Sequence, residues 1–258
     1  IGEIQLIGLK HINLKKASDA IRARLQKHQK EDEQATISED VKADLQDAAY
    51  AHLHNHTQFS VLQSTIGIND IVKASAKFKM PAVAMTDTGN MMGAFHFVSA
   101  IFNHNKAAEA KNKTLIAEGE QPTETIIKPI VGCEFNICEN HADKTKKDNG
   151  YQVVLLAKNK KGYHNLAKMS SLAFTNGFYY VPRIDKKIVE HYKEDIMVLS
   201  GNLYGEIPAK ILNIGENQAE EALIWWKEQF GADFYLELMR HKQEDENRVN
   251  KTLIAFAK

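Results

Sequence analysis

The stretch PAVAMTDTGNMMGAF, residues 81–95, carries one structural unit from end to end. Ala82 to Asp87 is a short apolar run that closes on Thr86 and Asp87, which reads as a buried strand. Gly89 allows a tight turn, and Ala94, Phe95, Val98, Ile101 and Phe102 then set a helical face. Strand, turn and helix follow one another, and the pattern recurs on both sides. Strand-like runs are YAHLHNH (50–56), IKPIVGCEFNI (127–137), YQVVLLA (151–157), IMVLSG (196–201) and FYLELMR (234–240). Helical faces are set by Ile68, Ile71, Val72 and Ser75, by Leu166, Met169 and Leu172, by Ala222, Leu223 and Trp226, and by Leu253 and Phe256. This alternation predicts an α/β fold with a largely parallel sheet, open or closed, whose chemistry collects at the C-terminal ends of its strands.

The remaining stretches are polar. Residues 103–126 carry Ala, Lys and Glu without apolar periodicity and read as an exposed insertion, and 139–150 as a polar connection between strands. Residues 14–49 read as helices around a charged stretch, a lead-in or linker (1–49) to the domain at 50–258. The chain starts at Ile1 and stops inside a helical pattern, as a segment of a longer protein would. Lys plus Arg and Asp plus Glu are both 33, so bulk charge does not argue for a free-standing nucleic-acid binder. No apolar run approaches the roughly 20 residues of a membrane span, and no secretory signal opens the chain. Cys133 and Cys138 would face opposite sides of one strand, so no disulfide is expected, and a cytoplasmic location fits.

Candidate site residues come from three runs. His52, His54 and His56 alternate, so on a strand they share a face, and two imidazoles so spaced can converge on one ion. The alternative is three imidazoles hydrogen-bonded in a barrel mouth. Asp87 ends its strand as a site acid would, or else caps a helix starting near Asn90. Glu134 lies late in an apolar strand, where a carboxylate needs a ligand role or a partner such as Arg183 or Arg240. Tyr179 and Arg183 on a loop, with Lys158, Lys160 and Lys161, could form a basic, aromatic rim for a phosphate backbone, or be a solvated helix start beside a packed loop. Trp225 and Trp226 lie on adjacent helix faces, so one is expected in the core.

HLHNHTQFSVLQ, PAVAMTDTGNMMGAFHF, PIVGCEF, VVLLAKNKKGYHNL, GFYYVPRID, LSGNLYGEIP and FYLELMRH together resemble the PHP (polymerase and histidinol phosphatase) domain of bacterial DNA polymerase III α subunits. The resemblance runs over about residues 50–258. It implies a distorted, TIM-like seven-stranded β/α barrel whose last strand would follow Lys258. It also implies metal ions at the strand ends that, where the site is intact, support phosphoester hydrolysis as a 3′–5′ exonuclease. His54, His56 and Glu134 match ligand positions of that family, and His52 a flanking one. Where the family has ligands, this chain has Gln63, Thr88, Gln152 and Asn202.

Gln63 and Asn202 are neutral amides that bring no negative charge, and Thr88 is too short to replace an imidazole. Two divalent ions ~3.5–4 Å apart repel by ~18 kcal/mol at an effective dielectric of ~20, and Glu134, helped at most by Asp87, would have to offset that. A multinuclear cluster is therefore not expected. The pocket is expected to survive as a hydrogen-bonded network, and the chain to serve as a structural and protein-docking domain without its own nuclease activity. The alternative is a reduced His54–His56–Glu134 site holding a single Zn or Mn and acting as a phosphoesterase. The resemblance further implies downstream polymerase domains using Mg, a separate proofreading exonuclease as a partner, DNA contact through the whole polymerase, and no membrane.

Overall fold

The structure, a computed structural model, describes residues 49–258. The helices expected over 14–48 lie outside the described residues. In chain order the elements are α1 (Ile68–Lys77), β1 (Ala82–Met85), α2 (Ala94–Ala117), β2 (Lys128–Cys138), β3 (Tyr151–Ala157), α3 (Lys160–Thr175), β4 (Arg183–Asp185) and α4 (Lys186–Tyr192). They continue as β5 (Ile196–Leu199), α5 (Glu206–Asn213), α6 (Glu216–Phe230), β6 (Phe234–Tyr235) and α7 (Glu244–Phe256).

One mixed sheet runs β1-β2-β3-β5-β6, with β4 paired to β2. Strand β3 is antiparallel to both its neighbours, while the β1–β2, β2–β4 and β5–β6 ladders are parallel, so every strand but β3 points one way. The α/β alternation is therefore as expected. Ladder hydrogen bonds do not close the sheet into a barrel among the described residues. Helices cover the outer face. Phe135, Leu155 and Val198 pack against Leu166, Met169, Ile211, Trp226 and Leu253, and Val83 and Met85 pack against Ile71, Val72, Phe97 and Ile101. The inner face is thinner: Ala84, Val154, Leu156 and Leu199 form its buried cluster.

Several local expectations are corrected. Residues 50–56 do not form a ladder strand. Ala84 N–H donates to His52 O and Thr86 N–H to Asn55 O, so acceptors three apart meet donors two apart. The extra residue breaks the period-2 alternation as a bulge does. The 234–240 run keeps only Phe234–Tyr235 as strand, and Arg183–Asp185, expected in a loop, is a strand against β2. Phe95, Val98 and Phe102 are on the exposed face of α2, and Ala94, Phe97, Ile101 and Ala108 are its buried residues. Residues 103–117 continue that helix rather than leave it. Asn105 and Asn112 each exchange two hydrogen bonds with the returning backbone, at Ile127 and Glu124. Trp226 is the core tryptophan, while Trp225 is half-buried with the Lys186 ammonium 4.3 Å from its ring centre. Cys133 and Cys138 are free and buried.

Candidate metal centre

The site lies where the C-terminal ends of β1, β5 and β6 meet the N-terminal end of the reversed β3. Gly89, at φ +69°, turns the chain after β1, and its N–H donates to Glu134 O at 2.7 Å. Glycine takes that φ at no steric cost, and a Cβ here would sit 2.7 Å from Pro182 Cγ. The turn keeps residues 87–89 beside β2, so Thr88 stands against Glu134 through an isolated bridge. The segment before α1 crosses the same end and brings in His54 and His56, their ring centres 5.4 Å apart.

Glu134 is fully buried and central. His54 Nε2 lies 3.1 Å from its Oε2, His56 Nε2 lies 3.5 Å from its Oε1, and the Thr88 hydroxyl is 3.0 Å from Oε1. On its other side, His54 Nδ1 is 2.8 Å from Oε1 of Glu237, a residue just beyond β6. Burial works to lower the His54 pKa, but hydrogen bonds and charge from Glu134 and Glu237 outweigh it and raise it to about 9. Burial likewise works to raise the Glu134 pKa, and the two histidines reverse it, to about 2. In the metal-free protein the cluster is thus an imidazolium held between two carboxylates.

Gln63, Thr88, Gln152 and Asn202 pair with one another. Thr88 Oγ1 lies 2.7 Å from Gln63 Oε1, and Asn202 Nδ2 donates to Gln152 Oε1 at 3.1 Å. Gln63, Thr88 and Gln152 also border a cleft of about 460 Å³ with Asn136, Asn149 and Phe59, and no Asp, Glu, Lys, Arg or His lines it among the described residues.

Other candidates are placed elsewhere. His52 is exposed and packs edge-on to Tyr50, because the bulge turns it off the face of His54 and His56. Asp87 is fully buried, accepts from Thr57 N–H, Thr57 Oγ1 and Ser60 Oγ at 2.6–2.7 Å, and caps no helix, since α2 starts only at Ala94. Its carboxylate ties down the turn that carries Gln63. Neither Arg183 nor Arg240 partners Glu134. Arg183 is fully buried and donates to the carbonyls of Gly177, Asp148, His141 and Asp143, so it faces no phosphate backbone. Lys158 and Lys161 pair with Asp233 and Glu194, Lys160 is exposed, and the half-buried Tyr179 sits over Arg183. Sequence reasoning missed Glu237. Its signal was the one that marked Glu134: a carboxylate inside an apolar run at a strand's end.

His54, His56 and Glu134 offer donor atoms within 4.8 Å of one another, a His₂Glu set that fits one ion. Two buried polar atoms here lack a hydrogen-bond partner among the described residues, His56 Nε2 and Glu237 Oε2. Such atoms are costly to leave bare. The donor set does not fit a multinuclear cluster, because Asp87 is committed to Thr57 and Ser60 and Glu134 is the single carboxylate among the three donors.

The PHP domain family matches residues 52–241. Among curated relatives, DNA polymerase III subunit alpha of Borreliella burgdorferi is 36% identical over 213 residues, that of Aquifex aeolicus 36% over 219, and that of Deinococcus radiodurans 31% over 219. Each alignment covers 81% of this chain, which spans 17%, 17% and 15% of the three relatives. A solved structure from Bifidobacterium adolescentis, described as a candidate metal-dependent phosphoesterase, aligns over 81% of this chain and 85% of its own at 12% identity and TM-score 0.46, too distant to carry function.

Proposed function

The chain belongs to the PHP domain family, and from that premise we propose that it is the PHP domain of a DNA polymerase III α-type replicative polymerase. It works there as a structural and docking domain and cleaves no DNA itself. Nucleotidyl transfer, with its Mg, belongs to other domains of the polymerase. A separate proofreading exonuclease is the docking partner. The observation that carries this reading is the pairing of Gln63 with Thr88 and of Gln152 with Asn202. Neutral groups occupy four positions where the family places ligands, and they are engaged with one another. The uncharged lining of the adjacent cleft supports the same reading, since a phosphoester backbone is normally met by cations.

One observation favours a second reading. The bare His56 Nε2 beside Glu134 suits a single Zn or Mn, which when bound would polarise an oxygen ligand and could support slow phosphoester hydrolysis. One experiment separates the two. Metal content of the purified chain is measured, followed by titration with Zn and Mn, with the His54→Ala/His56→Ala double variant as control. The docking reading expects no hydrolysis of 3′ ends at saturating metal. Hydrolysis that needs added metal and disappears in the double variant would overturn it.

A further inference from the structure

We infer that Glu237 is a positioning residue that fits His54 to one divalent cation and supplies the second negative charge such a site needs. The inference rests on the one-ion reading above and deepens it. The Glu237 backbone N–H donates to Ser200 Oγ at 2.8 Å, which fixes the residue at the end of β6, next to the end of β5. From there Oε1 reaches His54 Nδ1 at 2.8 Å. A carboxylate accepts only from an N–H, so with an ion taking the Nε2 lone pair the one proton of a neutral His54 stays on Nδ1, against Glu237. That is how a carboxylate orients a metal-binding imidazole and raises its basicity.

Charge makes the second half of the argument. Gln63 brings none, and both Asp87 oxygens are engaged by Thr57 and Ser60. Glu134 and Glu237 are therefore the carboxylates that face His54, and together they balance one divalent ion and no more. Glu237 Oε2 is buried and has no hydrogen-bond partner among the described residues. The reduced site is built for a stoichiometry of one.

The test strips the full chain of metal with a chelator and titrates it with Zn²⁺ by competition and with Co²⁺ by its visible absorption. The variants are Glu237→Gln, Glu237→Ala, Glu237→Asp and His56→Ala, with melting of each metal-free variant recorded alongside. Glu237→Gln keeps an acceptor for Nδ1 and loses the charge, whereas Glu237→Ala loses both. The expected result is one equivalent bound by the parent chain and none by His56→Ala. Affinity should fall about tenfold in Glu237→Gln and nearer a hundredfold in Glu237→Ala, the range for losing such a partner. Glu237→Asp should recover part of the loss, and the Co²⁺ bands of Glu237→Ala should shift at saturation. One equivalent bound with unchanged affinity and spectrum in all three Glu237 variants overturns the role given to Glu237 and leaves the one-ion reading standing. No metal bound by the parent chain overturns that reading, and this role with it.

Discussion

Arg183 forms no ion pair among the described residues. Its guanidinium donates to four backbone carbonyls, and three of these (His141, Asp143 and Asp148) belong to the connection between β2 and β3. In the sequence it stood either as a cation for a phosphate backbone or as part of a packed loop, because nothing in GFYYVPRID marks the residue as a strand inserted beside β2. Each buried acceptor left unpaired costs about 1–3 kcal/mol. Arg183→Met should therefore lower the unfolding free energy by at least about 3 kcal/mol, read from urea denaturation. A loss within experimental error would mean that water replaces the guanidinium. Glu134 and Asp87 make the complementary point. Both were legible as acids at strand ends, and both are fully buried. Their roles part because Glu134 meets two imidazoles while Asp87 meets the hydroxyls and N–H of Thr57 and Ser60.

Helices α4, α5 and α6 are joined by one acid. Glu206, in the first turn of α5, is 2.9 Å from both Lys186 and Lys210 Nζ and accepts from Trp226 Nε1 at 2.8 Å. Burial would raise its pKa, but the two ammonium groups hold the carboxyl below the usual range. A depressed folded-state pKa gives stability that is present above the unfolded value, about 4.3, and lost as pH falls through the folded one. Melting temperature should thus drop more steeply on the acid side in the parent chain than in Glu206→Gln; parallel curves would count against the linkage. Helix α3 offers a test in which packing reverses propensity. Alanine normally stabilises a helix over glycine by about 1 kcal/mol. At Gly162 a Cβ would sit 2.1 Å from the Asp195 carbonyl oxygen. Gly162→Ala is expected to cost about 2 kcal/mol, as overpacking does, and a stabilised variant in thermal melts would refute the close approach. Nothing in KNKKGYHNL announces that contact, because the Asp195 carbonyl comes from another part of the chain.

On the scale of the whole molecule, zero net charge and an uncharged cleft agree in giving no strong electrostatic pull on DNA. Exchanging Lys160 and Lys161 for Gln should leave the affinity of this chain for single strands, measured over a range of salt, nearly unchanged. A salt slope reduced by about one per lysine in fluorescence anisotropy would restore a nucleic-acid role. No helix among the described residues is long and apolar enough to cross a membrane. Phe95 and Phe102 are exposed on α2. Phe95→Glu with Phe102→Glu should raise solubility and move stability by no more than about 0.5 kcal/mol per site, measured by light scattering and thermal melts.

By itself the sequence determined the alternation of strands and helices, the residues of most elements, and the acids and imidazoles available to a site. These follow from periodicity and local chemistry, which lie within a few residues of one another. The tertiary structure alone decided that His52 leaves the face of His54 and His56, because a bulge depends on how the segment registers against β1. It also decided that Glu237, 183 residues from His54 in the chain, closes on it at 2.8 Å, and that Gln63 pairs with Thr88 and Gln152 with Asn202. Each of these is a contact between distant segments, set by how the sheet curls and by which strand ends it brings together.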